Sequence, residues 1–263
     1  MSDNISTLVE DGVATVTLDR PEVLNALDPR MAEGLKAVTA ELADDMSVRC
    51  VVFRGAGDHF MAGGDVRHFN ELVSNSPDRV EADIGGEIDD VHAAIVSIRR
   101  MPKPVVASVR GASAGFGMSL VAACDLAIAA EDSVFSLAYC RIGTSPDGGS
   151  TWTLPRSVGL KRAMELALLG DRISPQQARE YGLINWVVPT AELEQATEKL
   201  ATRLAAGPAG ALARTKALLN DSLDADLETQ LLAEKASFIS GVTGAEFAEG
   251  VRAFVEKRAA RFA

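Results

Sequence analysis

Asp147 stands in the run Gly143-Thr144-Ser145-Pro146-Asp147-Gly148-Gly149-Ser150-Thr151, a carboxylate with neither lysine nor arginine among its near neighbours and long apolar runs on both sides. Apolar surroundings let a carboxylate hold its proton at higher pH than water does, which a general acid or base near neutrality requires. Pro-Asp-Gly is also ordinary turn chemistry, and taken alone the turn reading wins. Two glycine-bearing segments change the balance: Met61-Ala62-Gly63-Gly64-Asp65 and Gly111-Ala112-Ser113-Ala114-Gly115-Phe116-Gly117. Each follows an apolar strand-like run, and the second leads into a helix, where unpaired amides and the macrodipole favour a developing negative charge. Amides at Gly64 and Phe116 converging on one carbonyl oxygen would form an oxyanion hole, each donor worth roughly 10²–10³ in rate. A nucleotide-phosphate reading fails, because Leu120 stands where a dinucleotide fingerprint needs a small residue and no Gly-Lys-Ser/Thr occurs.

The elements that must position these residues can be read from periodicity and punctuation. Residues 5–18 alternate as a hairpin turned at Asp11-Gly12. Asp28-Pro29 launches a helix through Met31, Leu35, Val38 and Leu42. Buried strands are expected at 50–54, 104–109, 126–129 and 184–188, with a short apolar helix over 118–123. Residues 70–86 lack clear periodicity and read as a mobile or weakly helical excursion able to cover a site, ahead of a helix bearing Val91, Ile95 and Ile98. Helices follow at 160–169 and from Ser174, the latter with a capping box and a Gly182 stop. From about Thr190 helices dominate: 191–206, 211–219, 227–239 and a last one opened by a capping box from Thr243 to Glu246. Alternating strands and helices imply an α/β fold with a largely parallel sheet. The division expected is a core of residues 1–190 and a helical region of residues 191–263 that packs on the core or on another subunit.

Composition narrows the partners. A chain of 263 residues can bury a sizeable core. Its net charge of −11 argues against nucleic acid and anionic membrane. Three scattered cysteines suit neither a disulfide framework nor a zinc ligand set, and no metal site is expected. The start lacks a signal peptide, and no apolar run approaches the ~18 residues of a membrane span, so the expectation is a cytoplasmic protein.

Further segments carry a resemblance: Asp19-Arg20-Pro21-Glu22-Val23-Leu24-Asn25-Ala26-Leu27, Ala62-Gly63-Gly64-Asp65, the glycine segment 111–117, Ala122-Ala123-Cys124-Asp125-Leu126-Ala127-Ile128-Ala129, Ala178-Arg179-Glu180-Tyr181-Gly182-Leu183-Ile184, and the run from Glu249-Gly250-Val251 to Lys257-Arg258. In their order and spacing they resemble the crotonase (enoyl-CoA hydratase/isomerase) superfamily over nearly the whole chain. The resemblance implies a spiral of repeated ββα units with a helical C-terminal region, assembled as homotrimers or dimers of trimers. It implies an acyl-CoA thioester substrate, whose oxygen is held by the amides of Gly64 and Phe116, with no cofactor beyond the coenzyme A of the substrate itself. It places Val23, Ala26, Ala62, Asp65, Val66, Arg67, Tyr139 and Lys257 around the substrate, with Arg20 toward the coenzyme A phosphates, although Glu22 stands where the family often has lysine. Trp152 and Phe60 are candidates for the acyl pocket.

Hydratases of this superfamily carry two glutamates that handle water, and here those places hold Ser119 and Tyr139. The stretch Ser-Pro-Asp-Gly-Gly-Ser-Thr-Trp is similar to that of enoyl-CoA isomerases, which implies Asp147 as a single proton shuttle. Hydration is the alternative. His92 and Asp147 also fall where aryl-CoA dehalogenases of the superfamily keep a base and a nucleophile, but tryptophan is expected at Tyr139 in those enzymes. A non-catalytic acyl-CoA-binding scaffold is the remaining alternative.

Overall fold

The computed structural model describes residues 4–262; residues 1–3, on which the reading of the N-terminal start partly rests, lie outside it. β1 (Ile5–Glu10) and β2 (Val13–Leu18) form the expected antiparallel hairpin, and Ala14, Val16 and Leu18 are buried while their neighbours in β2 are not. Asp28 caps α1 (Pro29–Asp44), accepting from the Met31 amide at 2.8 Å. That cap aims the apolar stripe Met31, Leu35, Val38 and Leu42 into the core. β3 (Cys50–Gly55) lies parallel to β2 and is followed by α2 (Val66–Asn75) and α3 (Val80–Arg100). Then come β4 (Val105–Val109), β5 (Ala112–Ala114), α4 (Phe116–Ala123), β6 (Leu126–Ala130) and β7 (Val134–Ser136). α5 (Ser150–Val158), α6 (Leu160–Leu169), α7 (Pro175–Tyr181) and β8 (Trp186–Val188) complete the core.

The main sheet runs β1-β2-β3-β4-β6-β8, parallel throughout after the hairpin. Both faces are covered, which is why all five residues of β4 are buried. Val51, Phe53, Val105 and Ala107 face α1, α3 and α4, whereas Cys50, Val52, Val106 and Ile128 face Leu193, Ala201 and Ala205 of α8 (Leu193–Ala205). After each long strand the chain lays a short segment in a second layer, and these segments pair across successive turns: Leu27 with Gly64, Met61 with Ser113, β5 with β7, and Phe135 with Ile173. Long strand, short strand and helix thus repeat as a spiral.

Beyond α8 stand α9 (Ala209–Asp221), α10 (Leu227–Val242) and α11 (Ala245–Glu256). Lys216 ties α9 to the core, its ammonium 2.7 Å from Asp125 Oδ2 and 2.8 Å from the Ile98 carbonyl. Ala253 is the one residue of these three helices that is buried, and Phe238, Phe247, Val251 and Phe254 are exposed. Among the described residues, no helix is long and apolar enough to cross a membrane.

The structure differs from the sequence reading at several elements. Residues 70–86 are more regular than the mobile or weakly helical excursion expected: they complete α2 and, after the 3₁₀ turn Pro77–Arg79, begin α3. Their periodicity is faint because α2 buries no side chain and α3 buries only Val91, Ala94, Ile95 and Ile98, all in its second half. α5 was not anticipated, since it holds Pro155 in its interior. The three-residue strands β5 and β7 are too short for alternation to register. The capping box at Thr243 does not form; Gly244 is the N-cap, and Glu246 instead accepts from the Gly210 and Ala211 amides at 3.0 and 3.2 Å. Glu246 therefore caps α9 rather than its own helix. Glu246→Ala is expected to lower stability by ~1 kcal/mol, read as a fall of a few degrees in Tm; an unchanged Tm would remove that role.

Candidate active site

Two adjacent turns of the spiral bring their second-layer segments side by side. Met61 pairs in parallel with Ser113, bonded through Met61 N to Ala112 O at 3.0 Å and Ala114 N to Met61 O at 2.9 Å. Counting three residues on from each partner sets Gly64 beside Phe116. Contact between the residues just before them supports this, because a Cβ on Gly115 would stand 3.4 Å from the Gly63 Cα. Both glycines have positive φ, +94° at Gly63 and +50° at Gly115, where a side chain would be strained.

The Gly64 and Phe116 amides are free. Leu27 and its neighbours bond Gly63 O and Asp65 N, so the Gly64 amide faces away from that strand. Phe116 is the first residue of α4, with no acceptor for its amide among the described residues. Neighbouring parallel strands stand ~4.8 Å apart, a spacing at which two amides can both reach one oxygen.

The turn that bears Asp147 packs against α4. Gly148 lies so close to α4 that a Cβ there would be 2.6 Å from Phe116 Cδ2 and 2.8 Å from Ser119 Cβ. Half-buried Asp147 is thereby set against the helix terminus that carries the Phe116 amide. Tyr139, 7% exposed, donates to Asp147 Oδ1 at 2.6 Å, and Ser119 Oγ lies 3.2 Å behind the phenol oxygen. Burial first, and then the Asp147 charge and hydrogen bond, push the phenol well above its ordinary range, so it stays a donor. Oδ2 of Asp147 has no partner among the described residues. His92 donates from Nε2 to the Asp147 carbonyl at 2.7 Å, since a carbonyl can only accept.

The remaining residues expected at the site fall into distinct roles. Val23, Ala26 and Ala62 line up along the strip where Ala62 N bonds Leu24 O at 3.0 Å and Leu27 N bonds Gly63 O at 2.7 Å. Asn25 braces that strip from within, fully buried and donating to the Ala56 and His59 carbonyls. Asp65 caps α2, accepting from the Arg67 and His68 amides, and pairs with Arg20 at 3.1 Å. Burial works to raise its carboxyl, but the Arg20 and helix-amide hydrogen bonds outweigh that and hold it below its ordinary range. Val66 and Arg67 are exposed on the first turn of α2. Lys257 is exposed after α11 in a left-handed conformation, and nothing within the chain brings it to Gly64, Phe116 and Asp147.

Three expectations need correcting. Arg20 does not reach outward for phosphate; its guanidinium is spent on Ala26 O at 2.6 Å and on Asp65 and Asp28. Phe60 is fully buried in the core, and Trp152 is flanked by the Arg156 and Arg99 guanidiniums at 4.2 and 5.5 Å, so neither lines an open acyl pocket. Phe69 was missed: its ring lies 2.8 Å from where a Gly64 Cβ would be, so α2 packs over Gly64. His68, on the same helix, is 2.7 Å from Glu87 of α3 and anchors that cover. Only the apolar type of Phe69, one helical turn past Asp65, hinted at this.

Comparison with known proteins shows the family. A family model described as enoyl-CoA hydratase/isomerase matches residues 9–263. The chain is 36% identical to 1,2-epoxyphenylacetyl-CoA isomerase of Escherichia coli over 100% of this chain and 99% of that protein. It is 33% identical to trans-2-decenoyl-(acyl-carrier-protein) isomerase of Streptococcus mutans, over 97% of this chain and 95% of that one. Among solved structures, an enoyl-CoA hydratase from a Polaromonas species superposes with a TM-score of 0.91 at 35% identity, covering 98% of this chain and 99% of that chain.

Proposed function

The chain belongs to the enoyl-CoA hydratase/isomerase family, and from that premise we propose that it moves a double bond within an enoyl-CoA thioester, using Asp147 as the sole acid and base. Asp147 takes a proton from C2 of a 3-enoyl thioester, and the electron pair passes into the thioester oxygen. The dienolate is held at that oxygen by the Gly64 and Phe116 amides. The same carboxyl then returns the proton at C4, leaving a 2-enoyl thioester with no atom gained or lost. No cofactor takes part, the coenzyme A being part of the substrate.

One observation carries this reading. The carboxylate beside the Phe116 helix terminus is backed by two neutral hydroxyls, Tyr139 and Ser119, and not by a second acid. Adding water across a double bond takes a proton from water and gives one to carbon, work that hydratases of this superfamily share between two glutamates. Moving a double bond needs only one group that does both in turn. The hydroxyl pair does favour one rival, in which it orients a water for hydration. His92, with Nε2 committed to the Asp147 carbonyl, is placed to hold the turn and not to activate water for aryl dehalogenation.

A panel of 2-enoyl-, 3-enoyl- and aryl-CoA thioesters separates these readings by absorbance and mass. Conjugation of the 3-enoyl thioester without mass change is expected. Gain of one water by the 2-enoyl thioester would favour hydration, and binding without turnover would favour a scaffold. The exposed face of Phe238, Phe247, Val251 and Phe254 supports assembly into a homotrimer or dimer of trimers, with Lys257 then supplied to a neighbour's coenzyme A. Unpaired Cys50, Cys124 and Cys140 support a reducing, cytoplasmic setting.

A further inference from the structure

We propose that Tyr139 is a positioning residue for the double-bond shift: its phenol pins Oδ1 of Asp147 and leaves Oδ2 as the oxygen that carries the proton at both carbons. This rests on the reading that Asp147 moves the proton.

Counting the protons around the phenol oxygen determines the direction of each bond. The hydroxyl has one hydrogen and two lone pairs, and it meets two side chains: the Asp147 carboxylate and Ser119 Oγ. An ionised carboxylate can only accept, so the phenol hydrogen goes to Asp147. Ser119 can then meet the phenol oxygen only as a donor, and its one hydrogen is shared with the Gly115 carbonyl, 3.4 Å away.

The backbone fixes Tyr139 where it can do this. The residue opens a single 3₁₀ turn, Tyr139–Ile142, flanked by left-handed conformations at Ala138 (φ 40°) and Gly143 (φ 76°). Its ring is buried, so water does not compete for the bond. The 2.6 Å separation lies in the range of hydrogen bonds from a neutral hydroxyl to a charged oxygen, about twice as strong as neutral pairs.

The consequence is mechanical. A carboxylate free to rotate would present either oxygen in any orientation, whereas a pinned one sweeps Oδ2 over one region. Proton delivery at C4 after removal at C2 needs that constancy, and misplacement by about 1 Å costs on the order of 10²-fold.

Tyr139→Phe keeps the ring and removes only the hydroxyl. With 3-hexenoyl-CoA as the probe, the expected result is kcat lower by about 10–10²-fold with KM within roughly 3-fold of the parent. Ser119→Ala, which leaves the phenol in place, is expected to lower kcat by less. Parent-like kcat in Tyr139→Phe, with Asp147→Asn inactive, would overturn the positioning role and leave the proposed reaction standing. Turnover by Asp147→Asn would overturn the proposed reaction, and this inference with it.

Discussion

Asp147→Asn is expected to lower kcat by about 10²–10⁴-fold, the range a positioned acid/base contributes. The substitution keeps the shape of the side chain, and the amide oxygen can still accept from the Tyr139 hydroxyl now 2.6 Å from Oδ1. Gly148 still packs on Phe116 and Ser119, and His92 still holds the backbone carbonyl, because neither contact involves the carboxyl group. What is lost is the capacity to take up a proton at Oδ2. Binding of coenzyme A thioesters and Tm should therefore match the parent while turnover collapses. Turnover close to the parent's would mean that the proton passes through another group.

Gly148→Ala is expected to act on the same chemistry by displacement. The new Cβ would start 2.6 Å from the Phe116 ring and 2.8 Å from Ser119 Cβ, closer than real Cβ atoms approach their neighbours. Gly148 is not among the glycines with positive φ, so alanine meets no backbone strain and the contact itself decides the effect. Phe116 is 2% exposed and cannot swing into solvent. The segment bearing Asp147 must move off the helix, carrying the carboxylate from the oxygen-binding amides by a few tenths of an ångström or more. Turnover lower by about 10²-fold is expected, with folding retained. Parent-like turnover of 3-hexenoyl-CoA by this variant would show that Asp147 need not sit so close to Phe116.

The parts of the fold legible in the sequence are those where local chemistry and burial agree. Asp28-Pro29 announces α1, Ser174 with Gln177 forms the capping box of α7, and the apolar run at 104–109 becomes a strand buried on both faces. The less legible parts depend on partners distant in sequence. Glu246 has the spacing of a capping box, yet it serves a helix that begins at Ala209, a contact that exists only once α9 and α11 pack. β5 shows no pattern because its order comes from pairing with β7 on the next turn of the spiral.

The site divides along the same line. Gly64, Phe116 and Asp147 stand out in combination, since two glycine-bearing segments and a lone carboxylate suggest chemistry together where each alone reads as a turn. Tyr139 carries no such mark. Its role arises because the chain doubles back within eight residues, through two left-handed positions, so that a buried phenol meets a carboxylate. Arg20 misleads for the opposite reason: the resemblance sets it toward the coenzyme A phosphates, but three acceptors inside the protein already hold it.

A crystal structure with an unreactive acyl-CoA bound would test the central claim most directly. The thioester oxygen should lie within hydrogen-bond distance of both the Gly64 and Phe116 amides, with the acyl carbons two and four places along the chain within about 3–3.5 Å of Asp147 Oδ2. A thioester oxygen away from either amide, or acyl carbons beyond the reach of Asp147, would contradict the account.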